Sequence, residues 1–178
     1  NIMKKNINDV EKLINASIIE SKKHDDIDHE ERLKSQKGLL YFNLGNIDQA
    51  VEILNNYVEY LTKKDFDEPQ LDILITLAES EIYLNNHDNA KKWTTLILNN
   101  KKRSFRKKDF HRYSLNELMT LYKVLLKTGY SQNANEILKH AHDKMQFIRS
   151  NLEDELYKEL FVNLEGYKFF VEEWEKVK

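Results

Sequence analysis

The stretch LGNIDQA at residues 44–50 recurs along the chain as LNNHDNA at 84–90 and as TGYSQNA at 128–134. Each copy lies between two segments in which apolar residues recur at the spacing of a helix. In the first copy, Gly45 suits the left-handed residue that ends a helix and Asn46 suits the N-cap of the following helix. Each copy ends in an alanine, at Ala50, Ala90 and Ala134. Such a turn at near-regular spacing predicts stacked helical hairpins.

The composition excludes several kinds of protein. The 178 residues include one proline, four glycines and no cysteine. So few chain breakers leave little room for the many turns of an all-β fold, and the lack of cysteine excludes disulfides and thiolate metal sites. A net charge of −2 weighs against a dedicated nucleic-acid surface. No apolar run approaches the roughly 20 residues of a membrane span, so we expect a cytoplasmic protein with no membrane partner.

The apolar spacing predicts an all-α fold of about nine helices in a single domain, residues 1–178. Eight of the helices are expected to pair as four hairpins, at about 28–63, 68–100, 114–149 and 151–178. The first helix, at about 4–23, is expected to stand unpaired. Capping-box matches at Ser114–Glu117 and Ser150–Glu153 predict the starts of the sixth and eighth helices. Gly166 is predicted to break the eighth helix from the ninth.

The first hairpin resembles a tetratricopeptide repeat. Gly38 and Tyr41 lie on its first helix, the turn follows at 44–46, and Ala50 and Leu54 lie on its second helix. The resemblance extends over about residues 28–178, although Asn85 replaces the turn glycine in the second copy and Tyr122 replaces the small residue in the third. It implies a right-handed solenoid of helical hairpins.

The spacing of the repeats indicates which kind of tetratricopeptide-like domain the chain resembles. The three marker alanines are 40 and 44 residues apart by their numbers, whereas a standard tetratricopeptide repeat has about 34 residues. The longer repeats and the abundance of Lys, Asn and Ile make the chain similar to the C-terminal domains of Gram-positive peptide-pheromone sensors of the Rgg, PlcR and Rap type. That resemblance implies a short signal peptide bound in a concave groove. One hypothesis is that the chain, which begins at Asn1, is the C-terminal part of a longer protein whose other domain would make any nucleic-acid contact.

If the repeat geometry holds, side chains of the first helix in each pair line the concave face and bind a short peptide or a protein segment. The strongest candidates are Arg32, Asn43, Tyr83, Asn116, Lys123 and Asn163. Asparagine offers both a donor and an acceptor to the backbone of an extended peptide, so Asn43, Asn116 and Asn163 are candidate clamps. The alternative is that these side chains form an ordinary solvated helix surface.

Two charged clusters permit further interpretations. The run KKRSFRKK at 101–108 is suited to phosphate, nucleic acid or an acidic partner, or is simply the basic end of a helix in solvent. Asp25 and His29 have the spacing of metal ligands on a helix. The sequence indicates no further ligand there, which favours a polar helix cap.

The motif search favours a binding protein. No nucleophile motif, glycine-rich phosphate loop or metal-binding helix motif is present, so we expect a non-enzymatic protein with no cofactor and no metal. The last helix carries Tyr167, Phe170, Val171 and Trp174 on one face, which predicts either core packing or a homodimer contact. The favoured function is the sensor domain of a bacterial transcriptional regulator that responds to a short signal peptide. The alternative is a tetratricopeptide-type adaptor with no sensing role.

Overall fold

The computed structural model describes residues 2–64, 70–99 and 113–177. Within these ranges the structure contains nine α-helices and no strand, which confirms the predicted all-α class for this part of the chain. The helices are α1 (Ile2–Lys23), α2 (Ile27–Asn43), α3 (Ile47–Lys63), α4 (Leu71–Tyr83), α5 (His87–Asn99), α6 (Leu115–Lys127), α7 (Ser131–Asn151), α8 (Glu155–Val162) and α9 (Glu165–Val177).

Four of the connections between helices have the same hydrogen-bonded geometry. Each contains one residue with a positive φ angle, namely Asp25 (53°), Gly45 (78°), Asn85 (58°) and Gly129 (88°). The next N–H in the chain donates to the carbonyl five residues earlier, in the pairs Asp26–Ser21, Asn46–Tyr41, Asn86–Glu81 and Tyr130–Leu125, at 2.8–3.0 Å. This is the Schellman arrangement, which satisfies carbonyls that the end of a helix leaves without a partner. The recurring phrase in the sequence therefore encodes a recurring turn.

The alanine that ends each phrase has a structural reason. The backbone N–H groups of Ala50, Ala90 and Ala134 each donate to the residue four positions earlier, at 3.0 Å, and so close the first turn of α3, α5 and α7. All three alanines are completely buried. A larger side chain at these positions would have to displace its neighbours, because protein interiors are close-packed.

A fourth turn of this type lies between α1 and α2, at residues 24–30. Asp26 occupies the N-cap, and its carboxylate accepts the N–H of His29 at 3.0 Å. Glu30 stands where the other copies have alanine, and its N–H donates to the Asp26 carbonyl at 3.0 Å. The Glu30 carboxylate pairs with Lys34 at 2.6 Å and with Lys22 at 3.7 Å. Helix α1 packs against α2 through this turn.

The chain divides into two compact units, residues 1–93 and residues 94–178. In the first unit, α3 packs against α2, and α4 packs against both α2 and α3. The fully buried side chains there include Leu54, Ile73, Leu74 and Leu77. In the second unit, α6, α7 and α9 pack against one another, with a core that includes Leu121, Leu125, Ile137 and Phe170.

Gly38 lets α2 approach α3 closely. A Cβ atom at this position would lie 2.7 Å from Cδ2 and 2.8 Å from Cγ of Leu54. Leu54 is fully buried, so an added methyl group would have to displace a side chain of the core. The glycine therefore costs some helix propensity, roughly 1 kcal/mol relative to alanine, and in return permits the contact between the two helices.

One predicted helix start is confirmed and the other is wrong. Ser114 caps α6 in a capping box, accepting the N–H of Glu117 at 3.2 Å and donating its own N–H to the Glu117 carboxylate at 2.6 Å. Ser150 instead lies inside α7, where its hydroxyl donates to the Phe147 carbonyl at 2.9 Å. Serine often makes such a bond to a preceding carbonyl, and a side chain turned back into its own helix does not cap the next one. Helix α8 begins later, with Asp154 as its N-cap.

The predicted break at Gly166 is also wrong. The helical run is interrupted between Val162 and Glu165, and Gly166 lies buried in the first turn of α9. A Cβ atom there would lie 2.8 Å from Cβ and 3.0 Å from the backbone carbon of Leu115. Because the backbone of α6 cannot yield, glycine at this position serves the contact of α9 with α6.

The turns predict opposite effects for two substitutions. Gly45→Ala is expected to lower the free energy of unfolding by about 1 kcal/mol, because an L-residue is strained at positive φ. No other atom lies within 4 Å of the added methyl group, so the cost comes from the backbone alone. Asn85→Gly is expected to raise the free energy of unfolding by up to about 1 kcal/mol, because it relieves the same strain. Urea unfolding followed by circular dichroism measures both, and a loss of stability in Asn85→Gly would contradict this account of the turn.

Candidate functional site

The six residues predicted to bind a ligand are all exposed and are divided between the two units. Arg32, Asn43 and Tyr83 belong to the first unit. Asn116, Lys123 and Asn163 belong to the second unit. The two groups have different surroundings.

In the first unit, the C-terminal ends of α2 and α4 meet at an aromatic pair. The ring centroids of Phe42 and Tyr83 lie 6.3 Å apart, with the ring planes tilted by 47°. Phe42 is half-buried, whereas 60% of Tyr83 is exposed to solvent. Asn43 is the neighbour of Phe42 and holds the same place before its turn as Tyr83 does. The pair therefore presents an apolar surface with an amide beside it.

The other end of the same helix face is charged. Arg32 precedes Asn43 by three helical turns on α2, and Asp72 precedes Tyr83 by three turns on α4, so each pair lies on one side of its helix. Both charges act on the buried hydroxyl of Tyr57: burial raises the pKa of Tyr57, Arg32 lowers it and Asp72 raises it. Arg32 and Asp72 are thus both within electrostatic reach of Tyr57. We call the surface formed by Arg32, Phe42, Asn43, Asp72 and Tyr83 the α2/α4 face.

The length of the α2/α4 face suits a short peptide. The ten residues from Arg32 to Phe42 span about 15 Å along the axis of α2. An extended chain covers about 3.3 Å per residue, so four or five residues fit between the charged end and the aromatic pair. The Asn43 amide donates one hydrogen bond to the Leu39 carbonyl of its own helix at 3.0 Å. Its second N–H and its oxygen have capacity for further hydrogen bonds.

In the second unit, two of the predicted residues lie against α9. Asn116 Oδ1 is 2.9 Å from the position that a Cβ atom at Gly166 would occupy. Lys123 Nζ lies 4.8 Å from the centroid of the Phe169 ring, a cation–π contact. The third residue, Asn163, ends α8, and its amide donates to the Glu159 carbonyl at 3.0 Å. Asn116 and Lys123 lie on α6, whereas Asn163 follows α8.

Tyr122 is the centre of the contact between α6 and α9. Its hydroxyl donates to Glu173 at 2.8 Å, and its ring meets those of Phe169 and Phe170 edge-on at 5.7 and 6.1 Å. Burial raises the pKa of Tyr122 to about 12, and the bond to Glu173 adds to this effect. The hydrogen bond from Lys176, followed by that from Tyr122, holds the pKa of Glu173 below its usual value.

The aromatic face of α9 is largely used inside the second unit. Tyr167 and Phe170 are buried, and the Trp174 ring stacks on His142 with centroids 4.2 Å apart. These contacts match the core-packing interpretation for three of the four residues. Val171 is 38% exposed. A homodimer contact through α9 stays a prediction.

The His/Asp cluster at the start of α2 forms a polar cap. Asp25 is the left-handed residue of the turn, and Asp26 caps the helix by accepting the N–H of His29. A cavity of about 340 Å³ beside the turn is lined by Ser17, Glu20, Ser21, His24, Asp26 and His29. His24 lies 3.2 Å from the Glu20 carboxylate. Among the residues that the structure describes, no group of three or more His, Asp or Glu is placed to hold a metal ion.

Two further observations bear on partners. The basic run at 101–108 lies outside the described residues. Across the described ranges, none of the helices combines the length and apolar character that crossing a bilayer requires.

Comparisons with protein-family models, with curated proteins and with solved structures find no match.

The hydroxyl of Tyr122 predicts a pH effect on stability. Its pKa is raised from the ordinary value of 10.0 to about 12 in the folded chain. The unfolded chain therefore ionises first, so this contribution is fully present below pH 10 and is lost as the pH rises toward 12. Tyr122→Phe is expected to lower the free energy of unfolding at neutral pH by about 1–3 kcal/mol, because it removes a hydrogen bond to a carboxylate. The variant is also expected to lose less stability between pH 10 and 12 than the parent.

Urea unfolding at several pH values measures both effects. Tyr157→Phe is the matched control, because Tyr157 is in the same unit and 59% exposed. An equal loss of stability above pH 10 in the parent and in Tyr122→Phe would refute the assignment.

Proposed function

We propose that this chain is a non-catalytic, tetratricopeptide-like helical-repeat module that binds an extended peptide segment on the α2/α4 face. The observation that carries the proposal is the exposed Tyr83 ring against Phe42, at the end of a stripe that leads to Arg32 and Asp72. The helical class and the repeated turns support the repeat-module part of the proposal. The contact of α2 with α4 supports it further, since the first helices of successive hairpins adjoin in such repeats.

The chemistry of the face suits a peptide with one bulky apolar residue. An aromatic pair supplies contact area at little cost in side-chain entropy, which makes it a good anchor for an apolar side chain. Asn43 can accept from and donate to a peptide bond beside that anchor. Arg32 offers a planar fork of donors that matches a carboxylate, at roughly the distance of four or five residues.

The narrower role that we propose is the sensing of a short, free signal peptide. It is supported by the resemblance to pheromone sensors and by the position of Arg32. A free peptide of about five residues has a C-terminal carboxylate within reach of Arg32 when its apolar residue lies at Tyr83. The alternative is an adaptor that binds an internal segment of a larger protein, which has no free carboxylate at that place.

A peptide titration tests this proposal. The probes are synthetic peptides of five to eight residues with one Leu, Phe or Trp near the N-terminus, each made with a free and with an amidated C-terminus. Peptides that bind are expected to raise the melting temperature of the chain. Tyr83→Ala and Arg32→Gln are each expected to weaken binding at least about tenfold, because an anchor or a charged hydrogen bond of this kind is worth 1.4 kcal/mol or more.

Phe147→Ala in the second unit is the matched control and is expected to bind as the parent does. Tyr83 and Phe147 are 60% and 61% exposed, so both variants are expected to fold. Equal binding of free and amidated peptides would favour the adaptor. Binding that Tyr83→Ala leaves unchanged would refute the α2/α4 face as the site.

A further inference from the structure

Helix α8 exposes a stripe of large apolar side chains. Leu156, Tyr157, Leu160 and Leu164 are 60%, 59%, 56% and 51% exposed. Helix α8 buries none of its own residues, in contrast to α9, which buries Gly166, Tyr167 and Phe170. Soluble chains rarely leave several neighbouring large apolar side chains in water, and such a patch usually marks an interaction surface.

Three of the four side chains lie on one side of α8. Leu156 and Leu160 are one helical turn apart and Tyr157 lies beside them, whereas Leu164 follows the end of α8 at Val162. Phe161, one turn after Tyr157, meets the Tyr167 ring edge-on at 5.1 Å. This contact joins α8 to α9, while the three leucines stay exposed. We call Leu156, Tyr157, Leu160 and Leu164 the α8 stripe.

The α8 stripe is bordered by acidic side chains. Residues 153–165 contain five carboxylates, Glu153, Asp154, Glu155, Glu159 and Glu165, and one lysine, for a net charge of −4. The lysine, Lys158, pairs with Glu155 at 2.6 Å. Those described carboxylates are exposed, so they act on any partner that approaches the stripe.

We propose that the α8 stripe docks a basic amphipathic helix of a partner protein. An amphipathic helix matches the stripe because its own apolar row packs along leucines spaced by one turn. A basic polar face on that helix meets the carboxylates, which steers association and fixes orientation. A second copy of this chain would instead bring two segments of charge −4 together, and an anionic membrane would meet the same repulsion. This surface lies in the second unit and is independent of the α2/α4 face.

A labelled model peptide tests the inference. The probe is an amidated helix-forming peptide of about 18 residues with leucines along one face and lysines elsewhere. A second peptide has glutamate in place of every lysine, and a third has the first composition in scrambled order. Fluorescence anisotropy is expected to show binding of the first peptide at least about tenfold tighter than of the other two. Its affinity is expected to fall several-fold as salt is raised from about 50 to about 500 mM.

Two variants and one control assign the binding to the α8 stripe. The double variant Leu156→Ser, Leu160→Ser is expected to lose at least about tenfold in affinity, and Glu153→Gln, Glu159→Gln to lose about threefold or more. Leu13→Ser on α1 is the matched control, because Leu13 is 68% exposed and lies in the other unit. It is expected to bind as the parent does.

Several outcomes would overturn the inference. They are binding of the acidic or scrambled peptide as tight as that of the basic one, unchanged binding by the double leucine variant, and no binding at millimolar peptide. A dimer in sedimentation equilibrium that the double leucine variant dissociates would identify a second copy as the occupant instead. The circular dichroism spectrum of each variant checks that the helices are retained.

Discussion

The structure depends on one backbone hydrogen bond, made four times. A residue in the left-handed region lets the next N–H reach the carbonyl five positions back, which ends a helix and reverses the chain in a single step. The same residue that donates this bond offers its carbonyl to the first closing N–H of the next helix. Termination and initiation therefore share one residue, and the angle between the two helices has little freedom. Helices α1 and α2, α2 and α3, and α6 and α7 pack against each other across such turns, and Ala50 and Ala134 are completely buried there.

The sequence predicted these turns well because their chemistry is local. Gly45 and Gly129 adopt positive φ without strain, and the alanines recur at a fixed distance after them. The break before α2 was predicted, but the turn at 24–30 was not recognised as a copy of the recurring phrase, because Asp25 and Glu30 replace the glycine and the alanine. Its signal was present in the shared Ile-Asp pair, at 27–28 and 47–48. A capping-box pattern is equally local, yet Ser150 failed as a cap because it could satisfy its hydroxyl on the preceding turn of α7.

The contacts that distinguish the second unit were beyond sequence reasoning. Gly166 and Leu115 are 51 positions apart by their numbers, and only the packing of α9 on α6 makes a glycine necessary there. Tyr122 precedes the turn residue Gly129 by seven positions, just as Gly38 precedes Gly45 in the first unit. The Tyr122 ring packs on Phe169 and Phe170, and its hydroxyl donates to Glu173 on α9. Asn116 and Lys123 were predicted from repeat geometry, but the approach of α9 gives them neighbours that the repeat alone does not contain.

The two candidate surfaces are parts of each unit that the packing of its own helices leaves exposed. In the first unit, the contact of α2 with α4 brings together Phe42 and Tyr83, which precede the left-handed residues of their turns by three and two positions. In the second unit, α9 takes the place against α6 and α7, and α8 is held mainly by α9. The periodic leucines of α8 were readable as an amphipathic helix, but periodicity does not tell which side of a helix its neighbours cover. Since α9 already occupies the core of the second unit, the apolar side of α8 is left facing water. Covering these side chains with a partner would remove apolar surface from water, and the acidic border would favour a basic partner.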